Sequence, residues 1–398
     1  MFLLLLTIGS FALGKDKINA VPWSVRIAES FLSEHPDTIF AQPDERILKW
    51  NYDQAVIFEA MYRMWQATGN KKYFDCMQRN LDYFLDADGG IKTCKVTDYS
   101  LDLIAPGRQL LYLQKCTGEQ KYRRAVDTLR KQLSMQPRTH EGGFWHKKIY
   151  PYQMWLDGLY MAEPFYAIYA AYDNEPKDFD DIAHQFIWME EHARDSATGL
   201  LYHGWDESKE QRWANSASGT SPSFWGRAMG WYAMGLVDVL DYFPQDHPRR
   251  GELIAIFRRL ADALLAFRDK DSKLWWQVVN RPDSAKNFPE ASASAMFTYA
   301  FAKGANKGYL DKKFYTAAQE SFEAIVEHFT TTDKNGHIEF HDVCGSVGLG
   351  GQPYRDGSYE YYVGVPRRTN DLRGIGAFLL AAVELEKGQV PGTLREGK

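Results

Sequence analysis

A short sequence pattern recurs along this chain and divides it into segments of similar length. It consists of a helical stretch, an acidic or polar turn that usually contains glycine, and a few residues of extended character. Glycine at such a point ends a helix in the left-handed conformation, so that the chain can reverse direction. The turn of this pattern occurs at 86–91, 139–145, 195–202, 269–276 and 332–338. A second kind of turn, glycine followed a few residues later by tyrosine, occurs at 68–73, 117–122 and 304–309.

The segments between these turns have helical length and carry apolar residues at i, i+3 and i+4 spacing. Helices that bury only one face gain stability by stacking in pairs, and six pairs can close into a ring. We therefore predict an all-α fold, an (α/α)6 barrel with short strand-like excursions between its hairpins; an open α-solenoid is the alternative. The twelve helices are predicted near 22–35, 52–67, 71–86, 100–115, 119–134, 156–172, 176–193, 223–241, 250–268, 291–304, 312–330 and 369–387.

Composition sets the broad class of the protein. Of 398 residues, 45% are hydrophobic and 15% aromatic, which is ample for one large core or for rings lining a carbohydrate cleft. The net charge of −5 gives no footprint for nucleic acid or an anionic membrane. We predict a single catalytic domain over 20–398.

The first residues resemble a signal peptide. Residues 2–13 form an apolar run that is too short to span a membrane, and Ala12-Leu13-Gly14 resembles a cleavage site. The usual basic residues before the run are missing. We interpret residues 1–19 as a signal peptide or N-terminal segment and expect export to the periplasm, with a frayed cytosolic N-terminus as the alternative.

Several kinds of site have no sequence support. The four cysteines form no CxxC pair, and His337 and His341 lie in a segment of extended character, so no metal site is predicted. A Walker loop, a Rossmann fingerprint and a GxSxG elbow are absent from the sequence.

Asp157 stands among aromatic and aliphatic residues at the predicted start of a helix, in Tyr-Pro-Tyr-Gln-Met-Trp-Leu-Asp-Gly-Leu-Tyr-Met at 150–161. Burial in such surroundings penalises the charged carboxylate, so we expect a raised pKa and a role as general acid. A helix N-cap is the alternative. Asp102 begins another predicted helix, and two carboxylates facing one pocket would separate each other's pKa values; a cap or a salt bridge to Arg108 is equally compatible with its position.

Other polar and aromatic residues stand at the starts of alternate helices and in the long excursions. His146 and His203 occupy matching positions of two excursions, each beside a tryptophan, which suits hydrogen bonding and stacking on a sugar; lone histidines are also common as structural residues. Trp225 and Arg227 are predicted near the pocket, where Arg227 offers a fork for a carboxylate. In a ring of hairpins all these residues lie at one mouth.

Together these motifs resemble those of the unsaturated rhamnogalacturonyl hydrolases, glycoside hydrolase family 105. The resemblance extends from about Trp50 to Glu384 and rests on the 150–161 motif, Gly-Gly-Phe-Trp-His at 142–146, Leu-Tyr-His-Gly-Trp-Asp-Glu at 201–207 and Phe-Trp-Gly-Arg-Ala-Met-Gly-Trp at 224–231. It implies the same (α/α)6 barrel. It also implies catalytic roles for Asp157 and Asp102 and substrate-binding roles for His146, His203, Trp225, Arg227, Trp231, Lys147 and Tyr52.

The reaction that this resemblance implies is a hydration. The substrate is an oligosaccharide from a pectin lyase, whose terminal 4,5-unsaturated galacturonic acid contains an enol ether. Protonation of C4 gives C5 oxocarbenium character, water adds at C5, and the resulting hemiketal opens and releases the neighbouring sugar. One carboxyl group can serve both proton transfers, so no metal or organic cofactor is required.

Three alternatives remain open from the sequence. An unsaturated glucuronyl hydrolase acting on glycosaminoglycan fragments would use the same chemistry. A conventional inverting glycosidase would need two essential carboxylates about 6.5–9.5 Å apart. A non-catalytic exported sugar-binding protein would retain the pocket without turnover, and fold alone does not exclude it.

Overall fold

Helices dominate the structure, which is a computed structural model describing residues 21–40 and 48–387. Each of the twelve predicted helices is present, and a short one is added near the C-terminus. The helices are α1 (Trp23–Glu34), α2 (Tyr52–Thr68), α3 (Lys71–Phe84), α4 (Gly107–Thr117), α5 (Gln120–Ser134), α6 (Leu156–Tyr172), α7 (Asp178–Ala193), α8 (Gly226–Val239), α9 (Arg250–Ala266), α10 (Ala291–Asn306), α11 (Lys312–Phe329), α12 (Tyr359–Gly364) and α13 (Leu372–Leu385).

Six helices form a closed inner ring. Helices α2, α4, α6, α8, α10 and α13 contact one another in that order, and α13 returns to contact α2. Each of α3, α5, α7, α9 and α11 packs outside the inner helix that precedes it, while α1 packs on α13. The predicted (α/α)6 barrel is confirmed, with the sixth pair formed by the first and last long helices.

The two rings differ in the way their sequences are buried. In the inner helix α10 every residue from Ala291 to Gly304 is buried. The outer helix α3 instead buries one face, which includes Tyr73, Met77 and Leu81. A helix enclosed by neighbours needs apolar or small residues all round, whereas an outer helix needs one apolar stripe.

The predicted glycine turns separate inner from outer helices. Gly69 and Gly118 end α2 and α4 with φ angles of 69° and 73°. These angles lie in the left-handed region, which residues with a Cβ adopt only at a cost in energy. Each turn lets the next helix run back along the outside of the ring.

The strand-like excursions form three small antiparallel pairs. The pair β1–β2 joins the excursion before α6 to the excursion after α7, with Met154 opposite Trp205. This pairing fixes the start of α6 at the mouth of the ring. The strands are β1 (Gln153–Trp155), β2 (Gly204–Asp206), β3 (Thr330–Thr332), β4 (Ile338–Phe340), β5 (Val343–Cys344) and β6 (Arg367–Arg368), paired in sequence as β1–β2, β3–β4 and β5–β6.

Helices α4 and α8 begin later than predicted, for different reasons. Helix α4 begins at Gly107, because Pro106 restricts the residue before it, and Asp102 lies in a 3-10 turn upstream. Helix α8 begins at Gly226, three residues after its predicted start at 223. Trp225 stays extended because it forms a β-bridge with Val278 from the next excursion.

The N-terminal prediction falls outside the described part of the chain. Residues 1–19, interpreted as a signal peptide, are not among the described residues, so export and a periplasmic location stay predictions. Within 21–40 and 48–387, no helix has the length and apolar character needed to cross a membrane.

Candidate active site

The β1–β2 pair brings Asp157 and His203 together. Helix α6 starts directly after β1, and the Leu156 backbone N–H donates to the His203 carbonyl oxygen at 3.0 Å. One residue further on, the Asp157 carboxylate oxygen Oδ2 lies 3.2 Å from Nε2 of His203. The two residues are separated by 46 positions in the sequence, and strand pairing makes them neighbours.

The expectation of a raised pKa for Asp157 is wrong. Burial does raise the pKa of this carboxyl group, but the contact with His203 and the charges of His203, His146 and Arg227 lower it by more. The net pKa lies below the ordinary value of 3.8. The sequence showed the apolar flank of Asp157, whereas the cationic residues reach it from other excursions.

His203 is held from its other side by a residue that the sequence did not single out. Its Nδ1 lies 2.8 Å from the hydroxyl oxygen of Tyr362, which belongs to the short helix α12. The imidazole is fully buried, and its ring centroid lies 4.8 Å from that of Trp225. Tyr362 therefore orients the imidazole towards Asp157. No sequence motif marks this tyrosine, because its role depends on contact across the ring.

Asp102 is engaged by two basic side chains. A β-bridge between Ser100 and Lys147 aligns the two segments, and the Lys147 ammonium forms an ion pair with Asp102. His146 Nε2 lies 3.4 Å from the other carboxylate oxygen of Asp102. The alternative salt bridge to Arg108 is not present, since Arg108 contacts Asp238 and Glu59. Asp102 thus contacts one lysine and one histidine, and no carboxylate is among these partners.

The ionisation of these two basic groups follows from their surroundings. Burial lowers the pKa of His146 to about 4, although the charge of Asp102 acts in the opposite direction. Burial also disfavours the charged form of Lys147, but the charge of Asp102 and their hydrogen bond raise its pKa overall. Near neutral pH, His146 is therefore neutral and Lys147 carries the positive charge that balances Asp102.

An aromatic layer packs against His146. The His146 ring stacks on Trp155 at a centroid distance of 4.5 Å, and Tyr150 also stacks on Trp155 at 4.7 Å. Gly158 permits this arrangement, since a Cβ at that position would lie 3.2 Å from Nδ1 of His146. In the motif, Asp157 thus supplies the carboxyl group, and the missing side chain of Gly158 leaves room for the imidazole of His146.

Arg227 does not present a free fork to the pocket. Its guanidinium donates to the carbonyl oxygens of Cys344 and Gly345 and, at 3.3 Å, to the Ser292 hydroxyl. Only Nε lacks a hydrogen-bond partner among the described residues. The side chain also lies over the Trp225 ring, 4.8 Å from its centroid. Arg227 therefore holds the end of β5 and the residue after it in place. Its charge also lowers the pKa of Asp157.

Tyr52 and Trp231 form another part of the mouth. Their rings meet edge to face at 6.1 Å, and Trp231 packs on Tyr160 at 4.8 Å. Beside Tyr52, burial raises the pKa of Asp53 to about 6, although Arg373, at 3.4 Å, lowers it. Asp53 was not among the predicted site residues because it resembles an ordinary residue of a helix first turn.

The nine predicted site residues thus cluster at one mouth of the ring, but they differ in access. The side chains of Asp157, Asp102 and Lys147 are 14%, 10% and 26% exposed, and Tyr52 is half-buried. These four can reach a bound sugar directly. The remaining five lie behind them with at most 3% exposure: His146, His203, Trp225, Arg227 and Trp231.

The chemistry open to this site is proton transfer. Asp157 Oδ2 and His203 Nε2 have no other hydrogen-bond partner among the described residues. Across 21–40 and 48–387, no cluster of three or more His, Cys, Asp or Glu residues has the arrangement to hold a metal ion.

Comparisons with known proteins agree with this architecture. A family model described as Glycosyl Hydrolase Family 88 matches residues 23–389. A solved structure of a family 105 glycoside hydrolase from C. acetobutylicum ATCC 824 is 41% identical, with a TM-score of 0.88 over 92% of this chain and 100% of that chain.

Two curated relatives are similar over shorter stretches. Protein Atu3128 of Agrobacterium fabrum is 38% identical over 230 residues, which is 56% of this chain and 97% of the relative. Unsaturated rhamnogalacturonyl hydrolase YesR of Bacillus subtilis is 29% identical over 297 residues, covering 73% of this chain and 79% of the relative.

Proposed function

Because this chain belongs to glycosyl hydrolase family 88 and is therefore a glycoside hydrolase, we propose that it removes terminal 4,5-unsaturated galacturonic acid from lyase-generated rhamnogalacturonan oligosaccharides. The proposed reaction is hydration of the C4=C5 enol ether. The observation that carries the proposal is the asymmetry of the two acids. Asp157 contacts a basic side chain, His203, through Oδ2 alone, whereas both oxygens of Asp102 contact basic side chains.

This asymmetry favours a reaction with one working carboxyl group. An inverting glycosidase needs a second carboxylate that is free to activate water. Asp102 is held by Lys147 and His146, so its oxygens are occupied and its role is to position the neighbouring groups. Hydration of an enol ether needs only one group, which first donates a proton and then accepts one.

His203 supplies the means to protonate Asp157. When the imidazole is charged, its Nδ1–H donates to the Tyr362 hydroxyl oxygen and its Nε2–H faces Asp157. A uronate entering the pocket adds a negative charge near Asp157, which raises the pKa of this carboxyl group and favours transfer of the Nε2 proton to it.

The reaction then returns the proton to the same carboxyl group. Asp157 protonates C4, and positive charge develops at C5 and the ring oxygen. Asp157, now ionised, takes a proton from the water that adds at C5. The hemiketal opens and the neighbouring sugar leaves, so one water molecule is consumed and Asp157 ends protonated. General acid–base catalysis of this kind contributes roughly 10²–10⁴-fold to the rate.

The test follows the loss of ultraviolet absorbance of the conjugated uronate. Lyase-treated rhamnogalacturonan fragments are mixed with the wild type, with Asp157→Asn and with the control Asp75→Asn, which changes an exposed aspartate on α3. The proposal predicts loss of absorbance with the wild type and the control and none with Asp157→Asn.

Other outcomes separate the alternatives. Activity on glycosaminoglycan disaccharides alone would show that the substrates are unsaturated glucuronides, and the hydration mechanism would still apply. Release of saturated sugars would indicate a conventional glycosidase. Binding of the fragments without any turnover would leave the sugar-binding protein as the better account.

A further inference from the structure

A cavity of about 630 Å³ adjoins the candidate active site on the side of Asp102. Its walls come from the segment before α2, the excursion after α3 and the segment that follows His146. The ionisable residues lining it comprise four lysines and two aspartates: Lys49, Lys95, Lys147, Lys148, Asp98 and Asp102.

The charges in this cleft are not balanced. Asp102 is paired with Lys147, and Asp98 lies 3.7 Å from Lys95, in a pair whose side chains are both more than half exposed. Lys49 and Lys148 form no ion pair with any described residue; Lys148 lies 5.5 Å from the centroid of the Tyr99 ring. The cleft therefore carries net positive charge in a chain whose overall charge is −5.

The cleft is continuous with the site. Asp102 and Lys147 line the cleft and are also members of the site, where Asp102 lies 3.4 Å from His146. Polar side chains that suit sugar hydroxyl groups, Asn51, Thr97 and Ser100, line the same cavity. A sugar chain bound next to Asp102 can thus extend into the cleft.

We infer that this cleft binds the leaving-side part of the substrate and selects oligosaccharides that carry an anionic group there, either a uronate carboxylate or a sulfate ester. The inference rests on the proposed function. An unsaturated uronate is the terminal sugar of its chain, so the substrate continues from it in one direction only. Lys49 and Lys148 are the cations available to the anionic group.

The experiment compares KM values for three unsaturated substrates. One has a single neutral sugar on the leaving side, the second is longer and carries a further uronate, and the third carries a sulfate ester on its leaving-side sugar. The double variant Lys49→Ala/Lys148→Ala is set against the wild type and against Lys71→Ala/Lys313→Ala, two exposed lysines on the outer helices α3 and α11.

In the Lys49/Lys148 variant, we expect KM for an anionic substrate to rise about three- to tenfold more than KM for the neutral one. The control should leave this ratio unchanged. Added salt should reduce the preference of the wild type, because exposed charges are screened. The substrate whose KM ratio changes, uronate or sulfate, identifies the anionic group.

Equal changes in KM for all three substrates, or no change, would overturn the inference while the proposed function stands. Loss of the proposed function has a different signature, because the wild type would then fail on the neutral substrate as well. In that case, titration of the protein with a saturated uronate oligosaccharide by calorimetry decides the matter. Binding that is lost in the Lys49/Lys148 variant supports the cleft, and binding that is unchanged or absent contradicts it.

Discussion

Oδ2 of Asp157 lies 3.2 Å from Nε2 of His203, at the point where the start of α6 meets the strand β2. The contact keeps the pKa of Asp157 low in spite of burial, and in the proposed mechanism it places the proton donor next to this carboxyl group. It therefore connects the fold, through one strand pair, to the chemistry proposed for the site.

Replacing His203 should change the pH dependence of catalysis. In His203→Gln the main group that lowers the pKa of Asp157 is gone, so burial dominates and the pKa rises. The limb of the kcat/KM profile that reports Asp157 should move to higher pH, and kcat should fall. A profile of unchanged position would show that His203 does not control this ionisation.

Tyr362 should act as a positioning residue. In Tyr362→Phe the imidazole loses its 2.8 Å partner, so we expect kcat to fall about three- to tenfold with little change in KM. The pH profile should shift in the same experiment, which a merely structural defect would not cause. Tyr359→Phe is the matched control, since Tyr359 lies on the same helix and its hydroxyl bonds to the Ala285 carbonyl. Equal effects of the two substitutions would contradict the assignment.

Glu163 should make the stability of the fold depend on pH. This residue of α6 is buried, one of its carboxyl oxygens has no partner, and burial raises its pKa well above the ordinary 4.5. The folded protein therefore holds a proton that the unfolded chain loses above about pH 4.5. Between pH 4.5 and the raised pKa of the folded state, this group lowers the stability of the fold more and more as the pH rises.

Glu163→Gln removes the titration and nearly preserves the volume. The difference in free energy of unfolding, variant minus wild type, should increase by about 1.4 kcal/mol for each pH unit between pH 4.5 and the pKa of Glu163 in the folded state. Urea unfolding at several pH values measures the difference, with the exposed Glu323→Gln as control. A difference that is constant with pH would contradict the prediction.

The hairpin architecture could be predicted because its signals are local. Apolar spacing within each helix and glycine at each turn are visible in a single segment, as at Gly69 and Gly118. The pairing of α1 with α13 could not be predicted from such local signals, because these helices lie at opposite ends of the described chain. It becomes evident only when the ring closes.

The clustering of the candidate residues could be predicted from the motifs, but the electrostatics of these residues could not. The motifs placed Asp157 and His203 in one pocket, but the apolar flank of Asp157 led to the wrong direction for its pKa. Arg227 was expected to offer its fork to a carboxylate, whereas Cys344 and Gly345 occupy it. Such effects depend on contacts between distant segments, which a single stretch of sequence does not display.

The most direct test of the central claim is the product formed in deuterium oxide, followed by proton NMR. If Asp157 protonates C4, the wild type should place one deuterium at a single one of the two C4 positions, at the rate at which the neighbouring sugar is released. Asp157→Asn should form no such product. Release of the neighbouring sugar while the C4 vinyl proton persists would contradict both hydration and proton transfer from Asp157.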